Sequence, residues 1–366
     1  MTKSPLRAAL AAYMRAANAA RGLSPKKVAF SSFKGAAFSD SPRAIAKALH
    51  RLRPDADIVF QLRGGADAPD WVRRVPPHSP KWLYELSTAR VVVDNFNRPF
   101  FQPKFKGQKY VQTWHGDRGF KRVLYDKDPD GGFPDGERID LAVAGSDFGE
   151  SMYRTAFRYR GEVLKVGLPR NDALLNAADT FAARKKTDLL LDKKILLYAP
   201  TFRDSMRGGA YTPNLDIARA VSKLHEITGE DWLCVARAHG ENTRVAGAMI
   251  DRSQYPEMSD LLMAADLLIT DYSSCAGDFP LLGRPVILWH AAQNFERDLY
   301  FDIETSPFFV ARTEDELYAH FEHLERAPEN ARAILDFFGT CETGRSAEAV
   351  AARISEWLDD SYFPFV

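Results

Sequence analysis

The stretch Asp266-Leu-Leu-Ile-Thr-Asp271-Tyr-Ser-Ser274 limits what this chain can fold into more than any other. Leu267 to Ile269 is the short apolar run that a parallel strand, buried on both faces, requires. It leads into a turn of hydroxyl residues, a helix-length apolar segment, Gly283-Arg284-Pro285 and a second apolar run, Val286 to Leu288. That is one βαβ unit. In an open parallel sheet, ligands bind outside the carboxyl ends of the strands, where the N–H groups of a helix start favour an anion. Ser273 and Ser274 are expected to cap that helix and to offer donors to a phosphate. Taken alone, the turn reads equally as a plain N-cap with no ligand.

The same grammar recurs along the chain. Pro5 to Arg21 is an Ala-rich helix with Leu6, Leu10, Tyr13, Met14 and Ala17 on one face. Val28–Phe33, Asp57–Leu62, Arg90–Asp94 and Tyr110–Gly116 read as strands, and Ser39-Asp40-Ser41-Pro42 opens a helix reaching Leu52. Strands alternating with helical segments predict a parallel α/β sheet. The fourth strand ends in His115, where a substrate would lie and where a histidine can act as a base, although a lone histidine is more often structural. Gly167-Leu-Pro-Arg-Asn-Asp172 is a turn expected to mark the crossing into a second domain. Beyond it, Lys194–Pro200 and Trp232–Arg237 are two more buried strands.

Three successive strand ends in this second half carry polar groups. They present Thr201 and Arg203, then Arg237 and His239, then Asp271 with Tyr272, Ser273, Ser274 and, further on, Asp278. In a parallel sheet these converge on one edge. Arginine and histidine beside a helix start form a site for a diphosphate.

Composition narrows the partners. The 366 residues suit two ordinary domains, and Lys+Arg and Asp+Glu balance at 49 each, so no overall field points to nucleic acid. The balance is uneven, since no acidic residue precedes Asp40. The basic start (1–34) and the loop 100–109, where Phe100, Phe101 and Phe105 interleave with Lys104, Lys106 and Lys109, could meet an anionic membrane surface. For the helix, packing on the body of the domain is the plainer reading, and for the loop a solvated segment with one or two aromatics turned inward fits equally well. Cys234, Cys275 and Cys341 form no CxxC pair, so neither a disulfide framework nor a zinc site is indicated. With no transmembrane run and no signal peptide, a cytoplasmic location is expected, peripheral on the inner membrane face if the basic segments bind lipid. Asp126, Asp128, Asp130, Gly131 and Glu137 match the spacing of a calcium loop. Pro129, Pro134 and the strand-like run after Ile139 argue instead for an acidic loop, so no metal site is assigned.

The motifs Gln112-Thr-Trp-His115-Gly116, Gly167-Leu-Pro-Arg-Asn-Asp172, Leu197-Tyr-Ala-Pro-Thr-Phe-Arg203 and Ile269-Thr-Asp-Tyr-Ser-Ser274 resemble the CDP-glycerol glycerophosphotransferases of teichoic acid and capsular polymer synthesis. Phe33–Pro42 and Tyr300–Glu304 extend the resemblance over nearly the whole chain. It implies a GT-B-type fold of two Rossmann-like domains facing a cleft, 1–178 on the acceptor side and 179–366 binding the donor, with the final helix crossing back. It implies CDP-glycerol as donor substrate and a lipid-linked or polymeric polyol-phosphate or glycan acceptor. No cofactor is required if arginine, histidine and a helix start carry the charge at the phosphates, and a divalent cation is possible but not indicated. His115 matches the family's general base, and His239 a second essential histidine on the donor phosphates. Thr201, Arg203, Arg237, Asp271, Tyr272, Ser273, Ser274 and Asp278 fall in the donor pocket.

Two departures limit the match, the first beside the acceptor. Asp117-Arg118-Gly119 stands where the family continues Thr-Pro, and Phe308 where it tends to have glycine. The alternatives are a CDP-ribitol phosphotransferase of the same family, a nucleotide-sugar glycosyltransferase of GT-B fold and a non-enzymatic binding module.

Overall fold

A computed structural model describes residues 4–176, 179–189, 192–201, 215–238, 245, 247–290 and 298–359. The chain divides into two compact units. The first takes the described residues of Met1–Asp117, Val123–Asp172 and Cys341–Val366, the second Arg118–Arg122 and Ala173–Thr340. The break after Asp172 lies at the Gly167–Asp172 turn, a few residues before the expected 178/179 boundary.

Among the described residues the first unit holds seven strands: β1 (Ser24–Ser31), β2 (Asp57–Gln61), β3 (Arg73–Val75), β4 (Ala89–Asp94), β5 (Lys109–Gln112), β6 (Leu141–Ala144) and β7 (Glu162–Lys165). They pair in parallel in the order β3-β2-β1-β4-β5-β6-β7. Apolar runs fill the centre because both faces of a parallel sheet are covered. Val28, Phe30, Val91, Val93 and Val111 pack under the helices Asp40–Leu52, through Ile45 and Leu49, and Ser346–Asp359, through Val350, Ile354 and Trp357. The last helix is anchored at its start, where Asp172 accepts the N–H groups of Ser346 (2.9 Å) and Ala347 (2.7 Å). Carboxylate acceptance of two otherwise orphaned N–H groups is N-capping, supplied here from a distant turn.

The second unit holds β8 (Lys194–Ala199), β9 (Trp232–Ala236), β10 (Ile250–Asp251), β11 (Leu267–Thr270), β12 (Val286–Trp289) and β13 (Phe309–Ala311) among its described residues. Their order is β10-β9-β8-β11-β12-β13, again all parallel. Consequently the carboxyl ends of β9, β8, β11 and β12 lie side by side on one edge.

Several local expectations change. The fourth expected strand stops at Gln112, so His115 sits in the loop beyond β5. After Ser274 the helix runs only from Cys275 to Asp278 before a tighter turn, Phe279–Leu282, because Pro280 breaks the α ladder. The acidic loop forms two single helical turns, Leu124–Lys127 and Asp135–Arg138. Its Asp126 accepts a bond from Thr155 Oγ1 (2.7 Å), and Asp135 turns inward to Arg98 N (3.0 Å) and Tyr110 Oη (3.2 Å).

Candidate active site

His115 follows β5 through a forced turn. Trp114 adopts φ +49°, with its N–H held by Gln112 Oε1 at 2.8 Å. The imidazole stacks on Phe96 (5.0 Å between centroids, 3° between planes) and meets the edge of Phe33 at 5.5 Å. Its Nδ1 lies 2.6 Å from the Asn95 carbonyl oxygen. A carbonyl only accepts, so Nδ1 carries the proton and neutral His115 keeps its lone pair on Nε2. That is the tautomer a general base needs. Burial pushes the His115 pKa below its usual value. The Asn95 bond and Asp40 oppose the shift, and Arg170 and Lys34 reinforce it. The base is therefore unprotonated at neutral pH.

Backbone strain concentrates around this residue. Phe33, Lys34, Asp40 and Trp114 all have φ between +46° and +60° without being glycine. Each such residue costs about 1–3 kcal/mol and persists where surrounding bonds impose it. Here the bonds are Phe33 N–H to Asn95 Oδ1 (2.8 Å), Asn95 Nδ2 to Asp40 Oδ1 (3.1 Å) and Arg170 Nη1 to both Asp40 Oδ2 (3.2 Å) and the His115 carbonyl (3.0 Å). Asp40 and Arg170 fall within the motif stretches Phe33–Pro42 and Gly167–Asp172 but were given no role there, and Asn95 was not singled out. A lone asparagine after a strand and an acid in a helix start carry no distinctive signal.

In the second unit the edge formed by β9, β8 and β11 brings together Arg237, Thr201 and the Asp271–Ser274 turn. Asp271 Oδ1 accepts the N–H of Thr201 (2.8 Å), the Thr201 hydroxyl and the N–H of Tyr272 (2.7 Å). Asp271 is thus the clasp joining the ends of β8 and β11, and Thr201 is its guest. Arg237 continues the β8–β9 ladder, its N–H on the Tyr198 carbonyl at 2.9 Å, and its charge reaches buried Cys275. Ser274 stands at the N-cap but makes no side-chain capping bond, because it already has helical φ and ψ. The capping expected of it is not realised. Asp278 pairs with Arg118 at 2.7 Å, both side chains buried. Arg203 and His239 lie outside the described residues.

His290, at the end of β12, is a further member that the sequence reading passed over. Its ring meets Tyr272 edge-on at 5.3 Å, and Nδ1 faces Glu304 at 3.7 Å. Burial, then Arg312, pushes its pKa down. The signal was present, since Trp289-His290 is another strand ending in histidine. Among the described residues no group of three His, Cys, Asp or Glu is arranged to hold a metal.

The departures from the motif pattern are accommodated within each unit. Asp117 accepts from Ser146 Oγ (2.6 Å) and Gly145 N–H (3.1 Å). Phe308 packs at 5.3 Å from Phe120.

The family model for CDP-glycerol:poly(glycerophosphate) glycerophosphotransferases matches residues 13–356. The chain belongs to this family. The teichoic acid poly(glycerol phosphate) polymerase of Bacillus subtilis (strain 168) is 29% identical over 364 residues, covering 90% of this chain and 48% of the polymerase. This glycerophosphotransferase-family chain therefore spans about half the length of that relative. The teichoic acid glycerol-phosphate transferase of Staphylococcus aureus (strain NCTC 8325 / PS 47) is 29% identical over 286 residues, 71% of this chain and 72% of that protein. The solved structure of the wall teichoic acid polymerase TagF superposes with a TM-score of 0.83 at 24% identity, covering 98% of this chain and 95% of that one. The likeness shows a GT-B-type fold of two parallel-sheet α/β units.

Proposed function

We propose that this protein transfers glycerol phosphate from CDP-glycerol to a hydroxyl group of a lipid-linked or polymeric acceptor and releases CMP. The observation that carries this reading is the Nε2 lone pair of His115, set by the Asn95 carbonyl on Nδ1. The acceptor oxygen attacks the β-phosphorus and its proton passes to His115 Nε2. The bond from that phosphorus to the bridging oxygen breaks, and CMP leaves with the electron pair. Such in-line transfer depends on positioning and on charge placed at the leaving phosphates. We assign that charge to Arg237, with Arg203 and His239, and to the N–H groups of the Asp271–Ser274 turn. Family membership supports the donor assignment.

A peripheral place on an anionic membrane is part of the proposal. The helix Pro5–Arg21 is fastened by buried Ala11 and Met14, while Leu6 stays 67% exposed. Arg7 lies over the exposed ring of Phe100 at 5.1 Å. An exposed aromatic ring covered by an arginine, with an exposed leucine on the same helix as that arginine, suits a headgroup boundary. Lys104 and Lys109 contribute less than their sequence suggests, being turned to Asp140 (2.6 Å) and to the ring of Trp357 (5.4 Å). Among the described residues no helix is long and apolar enough to cross a membrane.

Donor screening tests the reaction. CMP release is expected with CDP-glycerol and a lipid-linked glycerol-phosphate acceptor. Faster turnover of CDP-ribitol would move the assignment to the ribitol branch, and turnover of a UDP-sugar alone would overturn it.

A further inference from the structure

The bonds around His115 close on themselves. His115 Nδ1–H reaches the Asn95 carbonyl, Asn95 Nδ2 reaches Asp40 Oδ1, Asp40 Oδ2 faces Arg170 Nη1, and Arg170 Nη1 returns to the His115 carbonyl. The ring begins and ends on one residue and holds both its side chain and its backbone. Asn95 is sealed from solvent, and Asp40 is 9% exposed.

We propose that Asp40, together with Arg170, is the positioning carboxylate of His115, acting through Asn95 to hold Nε2 outward and to stabilise the imidazolium formed when the acceptor proton arrives. This rests on His115 being the base of the reaction proposed above.

Three observations favour that role over a merely structural clasp. First, the Asp40 backbone is left-handed (φ +60°), a strained conformation held by the bonds of the ring. Second, Asp40 also accepts the Ser41 N–H at 2.7 Å, so its carboxylate fills the start of the helix Asp40–Leu52 and its position is set from the backbone. Third, its charge acts on His115 across the ring. Among the described residues, Asp40, Arg170 and Lys34 act on the imidazole by charge, Asp40 favouring the protonated form and the two cations opposing it. A carboxylate that orients a histidine and steadies its charge has the same physical task in hydrolytic triads, where it bonds the ring directly. Here a backbone carbonyl is interposed.

The test is a titration of His115 by NMR on isotope-labelled histidine, its signal assigned with H115Q, in wild type, D40N and R170M. Asparagine is isosteric with aspartate and tolerates positive φ, which makes D40N the mild variant. Removing the anion is expected to lower the His115 pKa further. Removing the Arg170 cation is expected to raise it. Both variants are expected to lose kcat by about 10–100-fold, part of the 10²–10⁴ typical of a general base, with the KM for CDP-glycerol within about twofold. Shifts of opposite sign with losses of the same sign are not what a structural clasp produces. An unmoved His115 titration in both variants, or loss of folding in both, would overturn the proposal. Full activity of H115Q would instead overturn the reaction reading, leaving the titration shifts as a separate result.

Discussion

Arg118 Nη2 lies 2.7 Å from Asp278 Oδ1, with side-chain exposures of 0% and 6%. The fit leaves no slack, since a Cβ on Gly277 would come within 2.5 Å of Arg118 Cβ. Asp278, expected in the donor pocket, is engaged by an arginine that the sequence marked only as a departure from the motif. Removing one partner of a buried pair strands the other's charge and costs about 3–5 kcal/mol, whereas replacing both is far milder. D278L is therefore expected to lose that much in urea unfolding, and R118M/D278L to recover most of it. Equal losses in the single and double variants would count against the pair.

Asp172 binds the start of the terminal helix Ser346–Asp359. D172A removes both capping bonds and is expected to cost about 1–2 kcal/mol. Hydrogen exchange should localise the effect, with faster exchange in that helix and little change in the second sheet.

Asp94 closes β4 beside Asp135 and Arg98, and desolvation pushes its pKa up to about 8. Its ordinary value is near ~4. The folded state therefore binds more protons than the unfolded state between those values, and stability is lost as pH rises through that window. D94N keeps an acceptor for Phe96 N–H, which lies 2.9 Å from Asp94 Oδ1. The variant should be more stable than wild type at pH ~8 by at least about 1 kcal/mol and nearly equal at pH ~4. Parallel stability–pH curves would refute this.

Asp271 gathers three donors on one oxygen. D271A should weaken the joined ends of β8 and β11, lowering stability by about 2–3 kcal/mol, since bonds to a charged acceptor are the stronger kind. Calorimetry should show CDP-glycerol binding impaired in the same variant, because the turn carrying the donor N–H groups is then unheld.

Much of this architecture was legible because buried parallel strands write themselves as apolar runs. Lys194–Ala199, Trp232–Ala236 and Leu267–Thr270 appeared almost as expected. Arg73–Val75 was illegible for the converse reason: an edge strand of three residues, two of them arginine, has no periodicity to read. Strand ends pointed to His115 and the Asp271 turn, but not to what holds them. Asn95, Asp40 and Arg170 come from three separate elements, and only the folded sheet brings them to one imidazole. Ser274 was misjudged as a cap because residue type favours capping while the backbone there is already helical.

The proposed transfer depends on His115 as the base. The most direct measurement is CMP release from CDP-glycerol, with a lipid-linked glycerol-phosphate acceptor, by wild type and H115N at saturating donor, alongside calorimetric binding of CDP-glycerol. In H115N, kcat is expected to fall by about 10²–10⁴-fold with donor affinity nearly unchanged. Turnover by H115N at the wild-type rate would contradict it.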